Sequence, residues 1–449
     1  MTGPLSPADG NIDAPRRPPL IFLEKYARTG TDDAMNATTA ATARSRWSCE
    51  DMLEISLWFH QPPALSYFCA RGDYSSDGRP HVVGAEGRLA LLRASFASSL
   101  YEHEYFMYKA GFGEPASLDA IPLCDFPRNV KELAVVPRGH EYLLAALAIH
   151  IDPPHYYSCS NKLYIYSSDS EDKSWASILL QDPIPQLRKV ITTSKVVNLG
   201  EGLVAWVDYH HGMLVCDLHD ETNPTARYIP LPYPLPGNRE QMQELAGRTC
   251  TGRCHDLACI NGVLKFIEME HHVVIKTQEP SFPPENGKVL DSDLIVLRQR
   301  EKPKPVETWN GWTAVTWSRT VSPDGWEMGP VLDAADFVLD NPMDLLSMLS
   351  GLKDRADIGK MEFKDLYSDS PILSTDGDDI LYLNSSTRMG DWDGRVVALD
   401  LRTNRVKVMG DFSPIKRWHL VKAFGPCPVP HVITGDYIYP RCECQFMAL

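Results

Sequence analysis

Two groupings of side chains in this sequence have the types and spacing to do chemistry. The first is Cys250-x3-Cys254-His255-x3-Cys259, three thiols and an imidazole within one short stretch. Thiolate and imidazole are the donors that tetrahedral zinc prefers, and Cys442-x-Cys444 near the end of the chain would supply a distant fourth ligand. The usual close pair is absent, however, and Cys259 falls where a buried strand residue is expected. Reduced core and loop thiols are the plainer reading of Cys250, Cys254, His255 and Cys259.

The second grouping is a pair of histidine doublets, His210-His211 and His271-His272. The first is placed in a hairpin turn and the second in the equivalent position of the next unit. Imidazoles on adjacent loops of one face would bind a ligand or metal, or carry protons near neutral pH. They also stand where ordinary polar turn residues stand. Asp208 and Asp217 flank the first doublet and have the makings of an acid and base pair, although aspartate at a strand end commonly fixes a turn through its own side chain.

Other patterns carry less. Asp376-Gly-Asp-Asp379 and Asp391-Trp-Asp-Gly394 lack the ligand run and final glutamate of a calcium loop, and read as solvated turns. Trp175, Trp206, Trp312, Trp317 and Trp326 recur inside strand patterns, which points to core packing rather than an aromatic binding floor. The sequence contains no nucleophile elbow, phosphate loop or dinucleotide fingerprint. Asn198-Leu199-Gly200-Glu201-Gly202 has only the glycine spacing of the last, set in a hairpin without a helix dipole. No catalytic residue and no cofactor are expected.

The elements that must position these residues are strands. Val196 to Pro234 reads as strand, tight turn, strand, turn, strand with a proline-rich exit, and fainter versions recur on both sides. The recurrences fall near 52–123, 130–180, 255–326 and 371–412, with turn signals roughly every 8 to 12 residues. Asn261-Gly262 is the strongest hairpin signal, because a two-residue type I′ turn needs positive φ at both positions. Five such units in 449 residues predict an all-β, β-propeller-like fold of five or six blades of antiparallel strands, closed by pairing N-terminal strands with the run Val429 to Ile438. Helix is minor, with one window at Asp344 to Lys353. The organisation expected is a disordered tail over 1–19 and one domain over 20–440, interrupted by a Pro, Glu and Lys-rich insertion near 279–305. The segment Thr29 to Ser48 reads as a loop.

Composition narrows the function classes. With 44 basic and 59 acidic residues the net charge is −15, which repels polyanions and argues against nucleic acid and anionic membrane as partners. No window reaches the roughly 18 to 20 apolar residues of a membrane span. The N-terminal stretch lacks the features of a secretory signal, and 11 cysteines are an odd, scattered number. A cytoplasmic or nuclear, non-secreted protein with reduced thiols is expected.

The run Val197 to Asp208, with Gly212 to Leu218 and Arg227 to Pro232, resembles the core motif of a large plant family, the domain of unknown function numbered sixteen-eighteen, abundant in cereal grasses. Asn36 to Ala40, Trp312 to Arg319 and Asp378 to Leu383 add supporting matches. The strand ending in Tyr166-Ser167, the polar turn and Trp175 are similar in shape to kelch-like and F-box-associated propeller blades. The family carries no agreed activity. Relatives with an N-terminal F-box imply substrate receptors in ubiquitin-dependent turnover, and this chain shows no such module before residue 50. The expectation is a non-catalytic interaction module or scaffold whose partners are other proteins. Two alternatives stand beside it: a hydrolase or metal-dependent enzyme with its site near His210, His211, His271 and His272, and a turnover adaptor that borrows a partner's F-box.

Overall fold

Up-and-down strand meanders dominate the described part of the computed structural model, which describes residues 21–45, 50–60, 65–76, 78–96, 103–111, 115–122, 130, 132–151, 159–180, 190–239, 253–277, 305–321, 325–340, 362–375, 379–386, 395–409, 420–421 and 432–433. Six sheets follow one another. Sheet one holds β1 (Ile21–Glu24), β2 (Arg28–Thr29), β3 (Ala41–Arg44), β4 (Met52–Trp58) and β5 (Leu65–Gly72). Sheet two is β6 (His81–Glu86), β7 (Leu89–Ala94), β8 (Glu104–Lys109) and β9 (Ser117–Ala120). Sheet three is β10 (Ala134–Arg138), β11 (Glu141–Ile151), β12 (Cys159–Ser167) and β13 (Trp175–Leu179). Sheet four is β14 (Lys195–Gly200), β15 (Leu203–Asp208), β16 (Gly212–Asp217) and β17 (Thr225–Pro230). Sheet five is β18 (His255–Ile260), β19 (Val263–Thr277), β20 (Pro305–Thr320) and β21 (Glu327–Asp333). Sheet six is β22 (Val338–Leu339), β23 (Tyr367–Leu373), β24 (Ile380–Ser386), β25 (Arg395–Asp400) and β26 (Arg405–Met409).

Hydrogen bonds and ring contacts lead from each inner strand to the next. Val82 N donates to Lys25 O at 2.8 Å, and Leu133 N donates to Val83 O at 2.8 Å. Asn198 Nδ2 reaches Val135 O at 3.5 Å, Lys195 Nζ reaches Asp256 Oδ1 at 2.7 Å, and Leu373 N donates to Asp256 Oδ2 at 2.9 Å. The edge-to-face contact of Phe22 with Tyr382, centroids 4.9 Å apart, returns the path to sheet one. Sheets one to six therefore form a closed, propeller-like ring. The strands β27 (Leu420–Val421) and β28 (Val432–Ile433) both pair with β1, with Ile21 opposite Val432, as the closure expectation required.

Side-chain alternation explains why the strands are so apolar. A strand between two packed sheets buries both of its faces and loses the clean in-out pattern of a half-exposed one. In sheet four, Val204, Trp206, Leu214 and Cys216 pack toward sheet three, while Ala205, Val207, Met213 and Val215 pack toward sheet five. In β1, Phe22 joins the core shared by sheets five and six, and its neighbour Leu23 joins the core between sheets one and two. Trp206, Trp312 and Trp317 are buried in these cores, in line with the packing reading.

Two differences from the sequence expectation stand out. The stretch near 52–123, read as one unit, builds parts of two sheets, which brings the number to six. The stretch Thr29 to Ser48, read as loop, contains β3, which pairs with β4 from Ala41 opposite Ile55 to Arg44 opposite Met52. Its small alanines carry too weak a hydrophobic pattern to announce a strand, and cross-strand pairing makes it one. The tail at 1–19, the helical window at 344–353 and the insertion up to residue 304 lie outside the described residues.

Candidate functional site

The histidine doublets occupy different settings. His210 and His211 lie in the three-residue turn between β15 and β16, where Asp208 pairs with Gly212. Asp208 is buried and organises that turn: its Oδ1 accepts from His210 N at 2.9 Å, and its Oδ2 accepts from Thr192 N at 3.1 Å and faces His211 Nδ1 at 2.8 Å. Tyr228 donates its hydroxyl proton to His211 O at 2.8 Å. The turn-fixing role of Asp208 is thus visible in its bonds, and Asp217 does the same for His219 N at 2.9 Å.

His271 and His272 are not in a turn. They sit inside β19, beside a bulge in its pairing with β20. Strand β19 runs on to Thr277, past the residues that pair with β18, so the doublet falls within a strand where the shorter sequence pattern implied a hairpin. His271 Nε2 lies 2.9 Å from Ser368 O of sheet six, and its ring packs against Trp309 and Tyr367 at 5.2 and 5.5 Å. Burial holds His271 below the usual imidazole range, with the Asp369 carboxylate pulling the other way. His272 Nε2 lies 3.3 Å from Thr313 Oγ1.

The cysteine and histidine candidates for a metal are spread along one strand. Cys254 precedes β18 and Cys259 is near its far end, so at about 3.3 Å per residue their backbones stand roughly 16 Å apart, beyond the reach of one tetrahedral ion. Cys254 Sγ faces His271 Nδ1 at 4.0 Å, whereas Cys259 Sγ faces Leu199 O at 4.0 Å. Burial raises the Cys259 thiol. His255 stacks between Tyr209 and Phe266, with centroids 5.6 and 5.8 Å away. Among the described residues no three His, Cys, Asp or Glu side chains group as a metal site. Cys250, Cys442 and Cys444 lie outside those residues.

Around the doublets runs a network of buried charge that the sequence reading did not single out. Lys195, which opens β14, reaches Asp256 Oδ1 at 2.7 Å and Leu257 O at 2.5 Å. Glu268 Oε1 accepts from Leu235 N at 2.9 Å and Asn238 Nδ2 at 2.8 Å, and lies 3.6 Å from His255 Nε2. Asp369 is held by Arg253 Nε at 3.1 Å, Tyr367 hydroxyl at 3.2 Å and Asn384 Nδ2 at 3.1 Å. Each of these carboxylates is occupied by a neighbouring sheet, loop or strand, so its chemistry here is cross-linking. A charged residue at the start of an otherwise apolar strand was the available signal, at Lys195 and Asp256.

Comparison with known proteins adds one family. Residues 206–382 match the DUF1618 family, described as a protein of unknown function. No curated protein matches the chain. Solved structures similar to it include the tricorn protease, at 10% identity and a TM-score of 0.32 over 88% of this chain and 31% of that one. The WD40 domain of SCAP from fission yeast matches at 10% identity and a TM-score of 0.33, covering 86% of this chain and 80% of that one. Trypanosoma rangeli sialidase, in complex with the inhibitor DANA, matches at 11% identity and a TM-score of 0.32, covering 86% and 52%. The chain thus spans about a third of the length of the tricorn protease and about half that of the sialidase.

Proposed function

We propose that this chain, whose segment 206–382 belongs to the DUF1618 family, is a non-catalytic scaffold that binds other proteins in the cytosol or nucleus. The observation that carries the reading is the outer edge of sheet five. Strand β21 pairs with β20 along one side and shows Met328 and Val331 64% and 57% exposed. An apolar outer strand is a template for an added strand or an apolar partner segment. The net charge of −15 favours a partner surface that is basic around that contact.

The polar groups near the doublets support the same reading, because they hold sheets and turns together. The test is affinity capture with the full chain, wild type against Met328→Asp/Val331→Asp. Partners lost in the variant at unchanged melting temperature are the expected result, and partners recovered equally by both proteins would overturn the rim assignment. Recovery of ubiquitin-ligase subunits would specify an adaptor; their absence counts against one. Stoichiometric zinc, or a hydrolase activity abolished by His211→Ala, would overturn the non-catalytic reading.

A further inference from the structure

At the opposite end of the ring, where the inner strands β6, β10 and β14 finish, a cavity of about 450 Å³ opens between sheets two, three and four. That volume suits a small organic ligand. Its lining includes Glu86, the last residue of β6, which is only 4% exposed and whose Oε1 has no hydrogen-bond partner among the described residues. Burial pushes the Glu86 carboxyl well above the usual range, with the Asn198 amide pulling it down. A buried carboxyl oxygen without a partner is rare in folded proteins and calls for an occupant.

The other lining groups define that occupant. Arg138, the cation that would neutralise Glu86, is already committed: its Nη1 bonds Glu221 Oε1 and its Nη2 donates to Leu218 O at 2.7 Å. Asn198 Oδ1 accepts from Gly200 N at 3.1 Å. The hairpin Gly200-Glu201-Gly202, at positive φ throughout, forms one wall and sets the exposed Glu201 beside the cavity. Val136 and Pro137 add an apolar surface. With Arg138 matched by Glu221, the lining acids without an ion pair among the described residues are Glu86 and Glu201, and His219 completes the wall. A neutral ligand would be served as well by an amide, whereas an ammonium offsets the burial of the ionised Glu86 carboxylate and makes with it a charge-assisted hydrogen bond that an amide cannot match.

We infer that this cavity binds a primary ammonium group on an alkyl chain, its nitrogen anchored by Glu86 and Asn198 and its methylenes laid on Val136 and Pro137. Two sources share that chemistry, a free alkylamine and the lysine side chain of a partner protein. The site is distinct from the rim of sheet five, and either assignment can fail without the other.

The test titrates the full chain with 1,5-diaminopentane, Nα-acetyl-lysine amide and the neutral 1,5-pentanediol, followed by calorimetry and ligand-observed NMR. Both amines are expected to bind at least about tenfold more tightly than the diol, with Glu86→Gln abolishing that preference. A tighter diamine supports a free amine, and a tighter lysine amide supports a side chain. Glu201→Gln, at an exposed position, serves as a second variant should Glu86→Gln fail to fold, with a loss of about 2-fold to 5-fold for the diamine. Diol and diamine binding alike, unchanged affinity in Glu86→Gln, or no amine binding up to about 10 mM would each overturn the assignment.

Discussion

Replacing Lys195 with methionine removes one half of an ion pair that ties three inner strands together. Lys195 and Asp256 are 8% and 3% exposed, and Asp256 holds Lys195 of sheet four with one oxygen and Leu373 N of sheet six with the other. Breaking a buried pair from one side leaves its partner charge uncompensated, at a cost of about 3–5 kcal/mol. An unfolding entropy of about 2.1 cal/mol/K per residue gives roughly 0.9 kcal/mol/K for a chain of 449 residues. The variant should therefore melt about 3–5 °C below wild type by differential scanning calorimetry. Pairing it with Asp256→Leu removes the stranded charge but orphans Leu373 N, so the double variant should recover part of the loss and not all of it. A single variant melting within about 1 °C of wild type, or a coupling below about 0.5 kcal/mol in the double-mutant cycle, would refute the cross-link.

Stability should pass through a maximum in mildly acidic solution, because two buried groups pull in opposite directions. His81 faces Arg79 O at 3.2 Å through Nδ1 and accepts from Arg93 Nε at 3.1 Å through Nε2, so its neutral ring is the one that fits. Burial, with Arg93 and Lys25, lowers it from 6.5 to about 3. The unfolded chain then binds the extra proton, and stability falls as pH drops from 6.5 toward 3. Glu24 is raised by burial from 4.5 to about 8 despite its 3.0 Å bond to Arg28, so stability falls as pH rises from 4.5 toward 8. Thermal melts across pH should show His81→Gln flattening the acid limb and Glu24→Gln the neutral one; limbs unchanged in both variants would refute it. Phe22→Ala should cost about 3–5 kcal/mol in urea melts, since the ring bridges sheets one and six, and a cost under 1 would deny that closure. Gly84→Ala places a Cβ 2.3 Å from Leu133 O beside the Val83 hydrogen bond, and a loss of about 1–3 kcal/mol is expected, checked by the same melts.

How far the fold could be read depended on local signals. Asn261-Gly262 announces its hairpin because both residues take positive φ, +52° and +78°, and the Val196 to Pro234 stretch became sheet four, an antiparallel meander of four strands where its turns implied three. β3 was illegible because its alanines bury little. His271 and His272 were misplaced because nothing local shows that β19 continues past its first partner. Glu86 passed unnoticed because an acid closing an apolar strand before Gly87 looks like a turn residue, and only the ends of three sheets meeting there make it an enclosed one.

The double allegiance of β1 has a consequence for synthesis. Phe22 contacts Tyr382, a residue made 360 positions later, so the ring cannot be sealed until most of the chain has left the ribosome. Until then the faces of sheets one and six that will meet stay open to water, and to each other's equivalents on neighbouring nascent chains. Production yield should therefore respond to chaperone supply and growth temperature during translation, more than the equilibrium stability of the finished ring would indicate.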